Sequence, residues 1–70
     1  MIRKISIGND LLNAMHYVVG QAVLDKSYFI EAIRYEDTHI FIYIRRDDEI
    51  LRWKSFNGNV PITIEYKIDF

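Results

Sequence analysis

The sequence predicts an α+β domain: one short N-terminal helix and a five-stranded, mainly antiparallel, strongly curled sheet, barrel-like, in the order β-α-β-β-β-β. Three observations lead there. Twelve Ile and four Val against four Leu favour strands, because β-branched side chains fit a pleated surface and lose rotamer freedom in a helix. One segment, Leu11 to Val19, carries apolar residues at helical spacing. The remaining apolar runs are short and separated by polar turn residues, which suits strands with brief links.

Residues 2 to 7 read as a first strand. Gly8-Asn9-Asp10 interrupts it and offers Asn9 or Asp10 as a helix N-cap. In the helix Leu11, Leu12, Met15, Val18 and Val19 form one apolar face, and Gly20 is its C-terminal stop. Tyr28 to Tyr35 is a second strand, closed by Glu36-Asp37-Thr38. His39 to Arg45 is a third, Glu49 to Ser55 a fourth, with Arg46-Asp47-Asp48 as the turn between them. Asn57-Gly58 marks another turn. Val60 to Phe70 alternates cleanly and is the last strand, with Pro61 at an edge or bulge.

A short loop at Asp47-Asp48 sets Ile44 beside Leu51, Tyr43 beside Arg52, Ile42 beside Trp53 and Phe41 beside Lys54. Ile40, Ile42, Ile44, Leu51 and Trp53 then form the core side. Phe41, Tyr43, Arg45, Arg52 and Lys54 form the opposite side, joined by Tyr28, Ile30, Ala32 and Arg34 from the preceding strand. A slip of one residue would exchange the two sets. Both sides carry more apolar surface than one short helix covers, so a closed barrel, a second copy or a target must cover the rest.

A net charge of -1 argues against sequence-independent nucleic-acid binding, which needs a surplus of cations. The absence of Cys excludes disulfides and thiolate metal sites. No apolar stretch approaches the roughly 20 residues of a membrane helix, and no secretory signal stands at the N-terminus, so a soluble, cytoplasmic chain is expected. His16 and His39 read as a helix flank and a strand start, and Asp47-Asp48-Glu49 as a solvated turn. Ser6, Ser27 and Ser55 sit in no nucleophile motif. Neither catalysis, nor a metal, nor a cofactor is expected.

The candidate binding residues are therefore Phe41, Tyr43, Arg45, Arg52, Trp53 and Lys54, a mixture of aromatics and cations typical of protein interfaces. A partner protein is the first expectation. An oligomer that sequesters a nucleotide is the second, with Arg45, Arg46, Arg52 and Lys54 on phosphates and Tyr43 or Trp53 stacked on a base. Single-stranded nucleic acid is the third.

The stretches Ile5-Ser6-Ile7-Gly8-Asn9-Asp10, Asn13-Ala14-Met15-His16-Tyr17, Val19-Gly20-Gln21 and Pro61-Ile62-Thr63-Ile64-Glu65-Tyr66 resemble small accessory proteins of tailed bacteriophages. The resemblance implies a protein made in the bacterial host cytoplasm. Its partner would be a host or defence protein that it inhibits or redirects, with counter-defence as one such role; the expectation of a homodimer comes instead from the small core and the uncovered apolar surface. The resemblance transfers no role to any residue.

Overall fold

The computed structural model describes residues 1–9 and 13–67. The described chain is all strand and turn. β1 (Ile2–Ile7) pairs antiparallel with β2 (Met15–Val18) and with β7 (Ile62–Tyr66). β3 (Ala22–Val23), β4 (Tyr28–Glu36), β5 (His39–Arg46) and β6 (Glu49–Asn57) form a four-stranded meander in that order. The fold is thus all-β, with a three-stranded sheet and a four-stranded sheet, rather than one helix against five strands.

The expected helix is overturned by β2. Met15 to Val18 lies antiparallel to β1, with Tyr17 opposite Ile5 and His16 opposite Ser6. Tyr17 is buried and His16 exposed, the alternation of a strand. The proposed cap Asp10 and the helical positions Leu11 and Leu12 lie outside the described residues. Gly20 stops no helix. It stands at φ +94°, where an L side chain is strained, and bends the chain from one sheet to the other. Val19 donates to the Arg3 carbonyl on one side of this corner, and Gly20 donates to the Ile30 carbonyl on the other. The last strand is shorter than expected: Val60 and Pro61 precede it, and Ile68 to Phe70 fall outside the described residues.

The two sheets face each other over an isoleucine core. Ile2, Ile5 and Tyr17 meet Ile30, Ile33, Ile40, Ile42 and Ile44, all buried. Each fully buried side chain of this size contributes about 1.5–3 kcal/mol by leaving water. A bulge at Glu31 explains how Ile30 and Ile33, three residues apart, both reach this core. Ile30 pairs with Ile44 and Ile33 with Ile42, so the extra residue restores the inward face after a change of parity. Ile30, expected on the opposite side, is therefore core. Leu51 does pair with Ile44, but it lies at the end of the sheet and stays 43% exposed.

Two tight hairpins hold the meander. Asp37-Thr38 joins β4 to β5, and Asp47-Asp48 joins β5 to β6. Asp37 and Asp47 adopt positive φ, which Asp tolerates better than most residues. At the far end Gly58 donates its N–H to the Thr38 carbonyl at 2.7 Å, seating the β6–β7 connection on the β4–β5 turn.

Candidate functional site

Strand pairing alone defines the outer face of the meander. Phe29, Arg45 and Ile50 make one cross-strand row, and Ala32, Tyr43 and Arg52 the next. Arg34, Phe41 and Ser55 follow, then Glu36, His39 and Asn57. The opposite face of the same strands holds the isoleucine core, so this outer face has no layer over it among the described residues.

The rings and guanidinium groups on it are mutually arranged. His39 stacks on Phe41, ring centroids 6.2 Å apart and planes 16° apart. The Arg52 guanidinium lies over the Phe41 ring, 4.8 Å from its centroid. Arg45 donates through Nη2 to the Glu31 carboxylate at 2.8 Å, while its Nε is shielded and without a partner among the described residues. Phe29 and Ile50, at the two ends of the Arg45 row, are 43% and 50% exposed. Ala32 leaves a notch beside Tyr43. A shallow groove of about 580 Å³ opens there, lined by Met1, Glu31, Ala32, Arg34, Tyr43 and Ile50 among others.

The expected site divides in two. Phe41, Tyr43, Arg45 and Arg52 share the outer face. Trp53 and Lys54 do not. A second bulge places Tyr43 opposite Arg52 but Ile42 opposite Lys54, so Trp53 is the extra residue. Trp53 turns to the core side and meets Tyr17 edge-on, and Lys54 lies over the Trp53 ring with Nζ 4.9 Å from the centroid. Phe29, His39 and Ile50 complete the outer face and were missed. No periodicity rule shows a bulge, and the bulge at Glu31 is what brings Phe29 to this side.

The other polar groups are already engaged. Glu49 accepts from the Tyr28 hydroxyl at 2.7 Å and sits 3.8 Å from Arg46, whose guanidinium covers the Tyr28 ring. The hydrogen bond to the Glu49 carboxylate, followed by partial desolvation, raises the pKa of the Tyr28 phenol. Ser6 Oγ and His16 Nδ1 lie 2.7 Å apart on the three-stranded sheet, whereas His39 is on the four-stranded one. Among the described residues no cluster of three or more His, Asp or Glu could hold a metal, and no helix is long and apolar enough to cross a membrane. Compared with known families, curated proteins and solved structures, the chain matches none.

Proposed function

We propose that this protein is a non-catalytic binding module that grips a partner protein through the outer face of β4, β5 and β6. One observation carries the proposal: the inner face of this sheet is filled by isoleucines, yet the outer face keeps Phe29, Phe41, Tyr43 and Ile50 interleaved with Arg34, Arg45 and Arg52. Rings hold apolar contacts at low entropic cost, and guanidinium forks hold carboxylates. The matching surface is a protein patch in which acidic side chains border apolar ones. The bacteriophage resemblance directs the search to host or defence proteins.

The nucleotide reading has less geometric support. Of its four cations, Arg45 is bound to Glu31, Arg46 is held by Glu49 and Tyr28, and Lys54 belongs to the other side with Trp53. Lys54 therefore lies on the opposite side of the sheet from Arg45 and Arg52.

The test is affinity capture with the intact chain and with a Tyr43→Ala/Arg52→Ala variant. The variant is expected to keep its strand content by circular dichroism and to lose at least tenfold in affinity for the captured protein. Undiminished capture by the folded variant overturns the proposal.

A further inference from the structure

β6 is a sheet edge. It pairs with β5 along one side, and no described strand lies along the other. Its first half exposes apolar side chains on both faces at once. Ile50 pairs with Arg45 on the outer face and is 50% exposed; Leu51 pairs with Ile44 on the core face and is 43% exposed. A body resting on one face of the sheet would cover one of them. A strand laid alongside the edge covers the flanks of both, and it satisfies the open backbone groups as well.

The charge pattern says which strand. Along the chain Asp47-Asp48-Glu49 is acidic, Ile50-Leu51 apolar, and Arg52-Trp53-Lys54 basic. Read antiparallel against itself about Ile50, this order sets apolar Ile50 against Ile50 and brings acidic Asp48, at the turn just before the strand, opposite basic Arg52. We propose that β6 pairs antiparallel with β6 of a second copy of this chain, about a two-fold axis through Ile50. In that register Ile50 faces Ile50, Glu49 faces Leu51, and Asp48 faces Arg52 of the second copy. All of these positions precede the bulge at Trp53, which ends the regular edge. The parity keeps both outer faces on one side, so the two meanders become one eight-stranded sheet with the two partner-binding faces adjacent. The dimer does not depend on the partner-binding reading, because it is made by backbone pairing along the edge, although Ile50 and Arg52 belong to both surfaces.

The chain contains no Cys, so one introduced thiol reports the pairing without competition. Directly opposed residues of an antiparallel pair have Cα atoms about 4.5–5.5 Å apart, within disulfide range. Under mild oxidation Ile50→Cys is expected to cross-link into a two-chain species. Ser55→Cys, on the same face beyond the bulge, is expected to remain single. Sedimentation of the unmodified chain should show a concentration-dependent shift from one chain to two, weakened by salt. Charge reversal gives a second arm. Asp48→Lys alone and Arg52→Glu alone should each sediment as single chains, and their equimolar mixture should recover the two-chain mass. An unmodified chain that stays single up to about 1 mM, equal cross-linking at positions 50 and 55, or self-association of either reversed variant as strong as that of the unmodified chain overturns the proposal. A single chain whose edge instead takes up a foreign strand also overturns it.

Discussion

Tyr17 on β2 meets Trp53 on β6 edge-on, with ring centroids 6.0 Å apart and planes at 80°. Phe56, further along β6, packs on the same tyrosine at 5.7 Å. These contacts tie the three-stranded sheet to the far strand of the four-stranded one, where no backbone pairing joins them. Truncation there removes aromatic packing from both layers. Tyr17→Ala is expected to cost about 3–5 kcal/mol, which for a domain this small approaches its whole stability. Urea denaturation followed by fluorescence of Trp53, the single tryptophan, checks it. A loss under about 1 kcal/mol would mean that the two sheets are held together elsewhere.

Gly58 is required by space. A Cβ built on it would lie 2.7 Å from the Tyr35 hydroxyl and 2.9 Å from the Thr38 carbonyl oxygen. The tyrosine tip could swing away, but the backbone carbonyl is held by the Gly58 N–H itself. Gly58→Ala should therefore destabilise by about 1–3 kcal/mol, in the range of overpacking. Combining it with Tyr35→Phe should recover little of the loss, since the backbone clash remains. Thermal melts of the two variants distinguish the contributions.

Residues 24 to 26 take the opposite sign. Leu24, Asp25 and Lys26 all have positive φ in the β3–β4 hairpin, and all are exposed. A left-handed backbone costs a non-glycine residue about 1–2 kcal/mol, partly offset by the greater freedom that glycine has when unfolded. Lys26→Gly should then raise stability by about 0.5–1 kcal/mol. Asp47→Gly should gain less, because aspartate already tolerates this region. The urea midpoint reads both, and a decrease for Lys26→Gly would show that its side chain makes a stabilising contact in solution.

These positions also show what the sequence could convey. β5 was legible: Ile40, Ile42 and Ile44 turn inward while Phe41, Tyr43 and Arg45 turn outward, because a strict period of two survives along its length. The hairpin register was legible as far as Tyr43 and Arg52, where the two-residue turn dictates it. It was lost one step later, because a bulge inserts Trp53 without any change in composition: Lys54 left the outer face with it, while Trp53, named among the binding residues, lies on the core side where the alternation had put it. β2 was misread for a related reason. Met15-His16-Tyr17-Val18 is too short for its own period to decide, and its identity comes from β1 beside it. Tertiary pairing outweighed a helical spacing that began in Leu11 and Leu12.

Burial raises the pKa of the Tyr17 phenol. Unfolded, the group loses its proton near pH 10; folded, it keeps the proton to higher pH. Between those values the folded chain binds more protons, so stability is unaffected by this group below about pH 10 and falls as pH rises from there through the raised value. Tyr17→Phe removes the titration and gives up only a long 3.9 Å contact to the Met15 sulfur. It should leave stability at pH 7 within about 0.5 kcal/mol and flatten the alkaline decline. Tyr28→Phe should change that decline less, because Tyr28 lies toward the surface. Denaturation midpoints at a series of alkaline pH values test both, and an unchanged alkaline limb in Tyr17→Phe would refute the assignment.

The notch at Ala32 offers a probe of the outer face that spares its rings and cations. Ala32 sits between Tyr43 and the groove of about 580 Å³, on the side of β4 away from the isoleucine core. A longer side chain there would grow into the groove and displace no core atom. Ala32→Gln adds polar bulk without charge, so salt effects on binding stay the same and only shape changes. The expected outcome is a partner affinity reduced at least tenfold, with the urea midpoint within the spread of ordinary surface substitutions, about 0.5 kcal/mol. Tenfold corresponds to about 1.4 kcal/mol of binding, so the two effects separate cleanly. Capture that persists at full strength in the folded Ala32→Gln protein would place the partner off this groove, toward the Phe41 and Arg52 end of the face.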